Sequence, residues 1–273
     1  MNEQITILYF GDVVGKPGRQ ALQRMLPALR AEYTPDLVLA NVENLAHGFG
    51  ITKETINDLR TAGVDMFTSG NHVWDNSKGV ELLTTIPNDI LRPENYKPEM
   101  PGRGWVRTTV AGVPLLLINL MGEVFMNPGV TSPFEAFDRI TRENSKGAIT
   151  LVDFHAEATG EKRALVWYAD GRASLIVGTH THVQTADEEI MPNGTGYISD
   201  LGNCGATRSS IGMDKNLVVE KVAKRVELNL EPPQHPEGFM VNGILARINS
   251  TTKHCEEITR IDRREAVNYT EVR

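Results

Sequence analysis

Six polar side chains stand at or just beyond the ends of apolar runs. Asp12 comes after ITILYF, Glu43 after DLVLANV and Asn71 after VDMFT; His155 follows ITLVDF, and His180 and His182 follow SLIVGT. Carboxylate, amide and imidazole together form a metal-ligand set, and in open α/β sheets ligands gather at the carboxyl ends of strands. The steps from Asp12 to Glu43 and from Glu43 to Asn71 each span about one βαβ unit, which sets these groups side by side. Within His180-Thr181-His182, residues i and i+2 of an extended segment face one side, so both imidazoles can converge on one centre. Taken singly, each has a plainer reading. Asp12 can cap a helix, Asn71 can shape a turn, and His155 can be a hydrogen-bonded core histidine. Glu43 is harder to dismiss, because a carboxylate at the end of an apolar run needs a partner. Taken jointly, the set predicts a metal site. Six ligands exceed one tetrahedral zinc and suit two ions with a bridging carboxylate. Mixed nitrogen and oxygen donors without thiolate favour iron or manganese, admit zinc and disfavour calcium. Two such ions against two carboxylates leave a positive centre that attracts phosphate and acidifies a bridging water.

The composition fits that chemistry. The chain has 273 residues, a formal charge of −7 and 40% hydrophobic residues, the profile of a soluble protein able to bury a large core. An acidic balance argues against a large nucleic-acid surface, which needs a basic face, but leaves room for one nucleotide or a short strand. Cys204 and Cys255 are far apart and lack metal-type spacing, so no disulfide framework is read and a reducing cytoplasm is the expected location. MNEQITILYF has neither the basic start nor the cleavage site of a secretory leader. The longest apolar stretch, Val113 to Met121, is interrupted by Pro114 and Asn119 and too short to span a bilayer, so no membrane role is expected. Oligomeric state is not legible, and a homo-oligomer stays open.

The elements that position these residues follow from periodicity. Residues 4–10, 36–42 and 64–68 read as buried strands, with helices over 18–33 and 52–62, the latter between Thr52 as N-cap and Gly63. This βαβαβ rhythm predicts parallel strands. Residues 105–120 read as an antiparallel hairpin turning at Ala111-Gly112. Beyond it come a helix over 132–143 capped by Ser132, a strand at 148–154, a mixed helical stretch at 157–168 and a strand at 173–178. A short strand near 196–199, an amphipathic helix over about 214–229, and strands at 239–249 and 255–263 complete the reading. The Pro-rich 231–236 reads as a loop, not a boundary. One α/β domain over 1–273, with two stacked mixed sheets flanked by helices, is expected.

The runs GD, GNH and GTHTH, with an isolated histidine between the last two, resemble the calcineurin-like metallophosphoesterases. Two departures matter: Val13-Val14 follows Asp12 where that superfamily has D-x-H, and Glu43 in NVENLAHG replaces the second-motif aspartate. With GDVVGKPGR, TSGNHVWD, DFHAEATGEK and GTHTHVQTAD, these departures are similar to the YmdB-type bacterial branch, essentially end to end. The resemblance implies a four-layer α/β/β/α sandwich, a dinuclear centre and phosphodiesterase activity on small substrates such as 2′,3′-cyclic nucleotides. It implies a first metal on Asp12, Glu43 and His182, and a second on Glu43, Asn71, His155 and His180, with Glu43 bridging. Asn44 also matches a family position near the metals and is a candidate ligand.

His72 adjoins Asn71, and the two centres already have their ligands. The role left open is general acid, an imidazolium protonating the leaving alkoxide. Asp75 either orients His72 or caps the following helix. His47 lines the substrate mouth or is a loop histidine, while His235 and His254 read as surface residues. Gly15-Lys16-Pro17-Gly18-Arg19 can offer N–H groups and cations to phosphate, though it is not a P-loop. DLGNCGATRSSIG, Asp200 to Gly212, reads as a pocket-wall loop, and Cys204 within it is a weak nucleophile candidate. Three functions compete: a dinuclear phosphodiesterase, a phosphomonoesterase or nucleotidase on the same centre, and a regulatory, RNA-associated protein with a vestigial metal site.

Overall fold

Strand β1 (Gln4–Val13) is buried from Ile7 onward, as an unbroken apolar run requires when both faces of a sheet are covered. The computed structural model describes residues 3–85, 89–126 and 129–267, so the domain limits expected at 1 and 273 lie outside the described residues. Helix α1 (Gly15–Tyr33) returns the chain to β2 (Leu37–Asn41), and α2 (Lys53–Ala62) leads to β3 (Met66–Thr68). The three strands pair in parallel, as the βαβαβ rhythm predicts. Thr52 accepts the Thr55 N–H to open α2, and Gly63 closes it with φ 103.

Helix α3 (Ser77–Thr85) precedes β4 (Trp105–Val110) and β5 (Val113–Met121), which pair antiparallel. Ala111 and Gly112 both adopt positive φ, 48 and 82, the turn whose twist matches a two-residue hairpin. Then follow α4 (Pro133–Asn144), β6 (Ile149–His155), α5 (Thr159–Ala169), β7 (Leu175–Thr179), β8 (Glu189–Ile190) and β9 (Gly196–Ile198). The chain ends with β10 (Asn203–Ala206), α6 (Lys215–Lys224), β11 (Gly238–Asn249) and β12 (Cys255–Ala266).

These strands form two six-stranded mixed sheets, in the orders β12-β11-β10-β1-β2-β3 and β4-β5-β6-β7-β9-β8. Three apolar layers separate four structural ones. Leu8, Phe10, Leu22, Leu26, Ile56 and Leu59 join the first sheet to α1 and α2. Ile7, Tyr9, Leu39, Leu117, Leu151 and Val177 lie between the sheets, and Leu116, Phe137, Ile140, Val152 and Leu165 join the second sheet to α4 and α5. This is the α/β/β/α sandwich. Parallel strands from both sheets point their carboxyl ends the same way, toward one edge.

Two expectations need correction. The helix expected over 214–229 ends at Lys224, where Arg225 turns left-handed at φ 53, and α6 buries no residue, so its apolar side meets no core. The segment from Asp200 to Gly212 is not wholly loop, because Asn203–Ala206 forms β10, wedged between the upper ends of β1 and β11. Its small and polar residues carry no strand signature; the flanking strands supply the pairing. Among the described residues, no helix is long and apolar enough to cross a membrane.

Candidate metal centre

Each expected ligand reaches the common edge from its own strand. Asp12 lies near the end of β1, Glu43 two residues past β2, Asn71 three past β3, His155 at the end of β6, and His180 directly after β7. Two groups of donor atoms result, Asp12–Glu43–His182 and Glu43–His155–His180, each with its atoms within 4.8 Å of one another. Glu43 belongs to both. All are buried except His180, which is half-buried.

The two histidines of the H-x-H step do not converge on one centre. His180 and His182 adopt φ 103 and 63, so the segment is not extended and the imidazoles serve different groups. Lys162, fully buried on α5, braces this strained turn: its ammonium donates to the Thr179 carbonyl at 3.0 Å and to Asp200 Oδ2 at 2.9 Å. Asp200 in turn accepts the Thr181 N–H at 3.0 Å and the Gly202 N–H at 2.9 Å. A paired, fully bonded buried ion pair fixes geometry more than it adds stability.

The donor chemistry fits cations. His155 Nε2 lies 3.1 Å from Glu43 Oε2, 3.2 Å from Asn71 Oδ1 and 3.1 Å from His180 Nδ1. One N–H cannot serve three such partners, whereas a cation can. Asp12 Oδ1 is buried without a hydrogen-bond partner, while Oδ2 accepts the His180 N–H at 3.1 Å. Asn44 Nδ2 donates to the Gly48 carbonyl at 2.9 Å, which turns Oδ1 toward His182 Nε2 at 3.1 Å.

A buried relay fixes the His155 tautomer. Asp153 Oδ1 accepts the Thr179 hydroxyl at 2.7 Å; Thr179 Oγ1 then accepts from His155 Nδ1 at 2.9 Å. In the neutral imidazole Nδ1 therefore carries the hydrogen and Nε2 offers its lone pair to the donor cluster. Asn41 Nδ2 at 3.0 Å, the Thr68 hydroxyl and the Tyr9 hydroxyl at 3.4 Å also donate to Asp153. Sequence reasoning missed Asp153, Thr179, Lys162 and Asp200. The one signal available was a charged residue inside the apolar run ITLVDF.

Electrostatics in the metal-free chain follow from burial. Burial pushes the Asp12 carboxyl up to about 7, against the charges of His182 and His155. Burial works the same way on Glu43, but the charge and hydrogen bond of His155, with His72 behind, hold it down to about 2. Burial lowers His155, yet Glu43 and Asp12 raise it to about 9 overall. His180 is pushed down to about 3 by burial and by the charge of His155.

His72 sits beside the cluster without joining it. Its backbone N–H donates to Glu43 Oε2 at 3.1 Å, while its half-buried ring bonds Asp75 Oδ2 through Nδ1 at 2.7 Å and meets the Phe49 ring edge-on at 4.9 Å. Asp75 therefore orients His72. The helix cap is Asn76, whose Oδ1 accepts the Lys78 N–H at 3.0 Å.

The remaining candidates fall away from the centre. Gly15 N–H donates to the Asn44 carbonyl at 2.9 Å, and Arg19 bonds Asp58 and the Leu45 carbonyl, so these two groups of the Gly15–Arg19 segment are engaged within the protein. His47 is exposed at φ 57, against a small cavity with Lys16 and Pro232. Cys204 packs in the core under α1, its thiol pushed up to about 12 by burial, which removes it as a nucleophile. Cys204 and Cys255 are both free, and His235 and His254 are exposed as expected. Ala206, Arg208, Ser209 and Ile211, from the segment expected to wall the pocket, line a cavity beside His182.

Comparison with known proteins places the chain in one family. A sequence model of the family described as "YmdB-like protein" matches residues 8–261. The chain is 41% identical to the 2′,3′-cyclic-nucleotide 2′-phosphodiesterase of Bacillus subtilis (strain 168), covering 93% of this chain and 96% of the relative. A crystal structure from Mycoplasma pneumoniae, described as a novel phosphatase, superimposes with a TM-score of 0.91 at 31% identity, over 97% of this chain and 95% of that one. A hypothetical protein from Thermus thermophilus superimposes with a TM-score of 0.87 at 37% identity, over 96% and 100%. With a match across nearly its whole length and these relatives, the chain belongs to the YmdB-like protein family.

Proposed function

We propose that the chain is a dinuclear metal phosphodiesterase acting on small phosphodiesters such as 2′,3′-cyclic nucleotides. The observation that carries this is the pair of donor groups sharing Glu43, with His72 oriented by Asp75 beside them. One ion would be held by Asp12, Glu43, Asn44 and His182, the other by Glu43, Asn71, His155 and His180. Iron or manganese suits this set best. When bound, such a pair supplies positive charge for phosphoryl oxygens and a water acidified toward neutral pH.

The residues of the chain supply the rest. Asp12 and Glu43 confine the charge, and their burial keeps solvent from screening it. Once His155 is neutral, the Asp153–Thr179 relay keeps its hydrogen on Nδ1 and leaves Nε2 for an ion. His72, with Nδ1 tied to Asp75, directs Nε2 toward the leaving oxygen and donates a proton as the P–O bond breaks. A cyclic diester needs that proton on the departing ribose oxygen, a poor leaving group. The name of the Bacillus subtilis relative supports this substrate class.

Turnover decides between the readings. Manganese-loaded protein should hydrolyse bis-p-nitrophenyl phosphate and 2′,3′-cyclic AMP far faster than p-nitrophenyl phosphate or 5′-AMP. Preference for the monoesters would establish a phosphatase instead, and inertness toward every ester would leave a regulatory protein.

A further inference from the structure

Asn203 is 1% exposed, yet neither its amide nitrogen nor its amide oxygen has a hydrogen-bond partner. A buried amide with donor and acceptor both unmet is rare in folded proteins and marks a group kept for something else to bind. Its place is specific. Asn203 opens β10 directly opposite Asp12 on β1, in parallel register, so the two side chains stand on the same face of the sheet. It also lines a cavity of about 320 Å³ that has His182 in its wall, together with Arg208, Arg260, Arg264 and Asp262.

The lining chooses the chemistry of a ligand. Arg264 closes both arms on Asp262, at 3.0 Å each, which leaves Arg208 and Arg260 as the guanidinium groups of the wall with N–H groups to offer an anion. The arginines are held but not used up: Arg260 gives its Nε to Glu188 at 2.8 Å, and Arg208 gives one Nη to Glu237 at 3.0 Å. Each keeps further N–H groups in a planar fork suited to phosphate. The Asn203 amide offers a donor and an acceptor side by side, the pattern that pairs with a nucleobase edge. The volume is near the lower end of small-ligand sites, about 300 Å³, enough for one nucleoside unit.

We propose that this cavity is a second substrate pocket, holding the nucleoside next to the scissile phosphate through Asn203 and a further phosphate on that nucleoside through Arg208 and Arg260. The inference rests on the phosphodiesterase reading and deepens it: the preferred substrate carries one phosphate more than a simple cyclic mononucleotide.

Manganese-loaded protein tests this with three substrates: 2′,3′-cyclic AMP, its 5′-phosphorylated form, and bis-p-nitrophenyl phosphate, which lacks a nucleoside. The wild type should show a kcat/KM about tenfold or more higher for the 5′-phosphorylated nucleotide than for 2′,3′-cyclic AMP. The double variant R208A/R260A should erase that gap. Asn203→Ala should lower kcat/KM for both nucleotides relative to bis-p-nitrophenyl phosphate, by about tenfold and through KM. Because Asn203 is buried beside Asp12, the arginine pair provides the test that does not depend on its tolerance; the Arg208 side chain is 75% exposed. Equal kcat/KM with and without the 5′-phosphate, or an arginine variant that slows all three substrates alike, would overturn the second pocket and leave the phosphodiesterase standing. Inertness toward all three would overturn both.

Discussion

Asn44 Oδ1 and His182 Nε2 face each other across 3.1 Å. Both orientations are imposed from behind, since Asn44 Nδ2 is tied to the Gly48 carbonyl and His182 Nδ1 donates to the Ile211 carbonyl at 2.8 Å. With His182 neutral, two acceptors so arranged repel unless a cation joins them, which is the basis for proposing Asn44 as a ligand of the Asp12 side. Asn44→Ala should therefore weaken one of two manganese sites by about tenfold or more and spare the other, on the scale seen when metal surroundings are disturbed. Metal titration reads this directly. Two unchanged sites would remove Asn44 from the ligand set.

Glu43 is the one residue common to both donor groups. Glu43→Gln removes a charge from both at once, so the two ions should leave together and activity should go with them. Metal content after gel filtration measures it. A variant that keeps two ions per chain would show that Glu43 does not bridge.

Thr179 has one hydroxyl hydrogen, and it goes to Asp153. Thr179→Val keeps the shape but breaks the link to His155, freeing Nδ1 to lose its hydrogen and Nε2 to take it. Manganese affinity at the Glu43–His155–His180 group should fall about 10- to 100-fold. Stability should drop by about 1–3 kcal/mol, since Asp153 loses a buried donor. Thr179→Ser, which restores the hydroxyl, should recover most of both. If the valine and serine variants bind metal alike, the relay does not set the tautomer.

Much of this site was readable from residue types. Buried parallel strands announce themselves as apolar runs, and a ligand at the end of each run needs only the βαβ rhythm to be placed; Asp12, Glu43, Asn71 and His155 followed from that. His180 and His182 both reach the donor atoms but not as an extended H-x-H step, because both adopt left-handed φ beside the Lys162–Asp200 brace, whose two members are remote in sequence. Asp153 and Thr179 were invisible for the same reason: a residue type does not name its partner. Strand β10 escaped because its pairing comes from β1 and β11, not from its own composition. Asp75 and Asn76 were both plausible caps, and only the hydrogen bonds assign one to the helix and the other to His72.

Metal uptake should expel protons. In the metal-free chain the Asp12 carboxyl, pushed up to about 7 by burial, is partly protonated at neutral pH, and His155, raised to about 9 by Glu43, carries a proton. Glu43 at about 2 is already ionised, and His180 at about 3 is already neutral. Ligation needs Asp12 ionised and His155 neutral, so affinity rises with pH between about 6 and 9, with up to about two protons released. Calorimetric manganese titrations in buffers of different ionisation enthalpy count them. Affinity that stays flat across that range would contradict the assignment.

His72 and His180 separate the roles of acid and ligand. His180 Nδ1 belongs to the donor cluster, 3.1 Å from His155 Nε2, whereas the His72 ring is turned to Asp75 and only its backbone N–H meets Glu43. His72→Ala should keep both ions and lose about 10² to 10⁴-fold in turnover of 2′,3′-cyclic AMP, where the leaving alkoxide needs a proton. The loss should shrink on bis-p-nitrophenyl phosphate, because p-nitrophenolate departs without one. Asp75→Asn should move the same way by a smaller factor, since it leaves the imidazole present but without its carboxylate. His180→Ala should instead lose metal and slow every substrate alike. Metal content and a leaving-group series on the three variants decide the matter: if His72→Ala sheds metal as readily as His180→Ala, or slows both substrates equally, then His72 is not the proton donor.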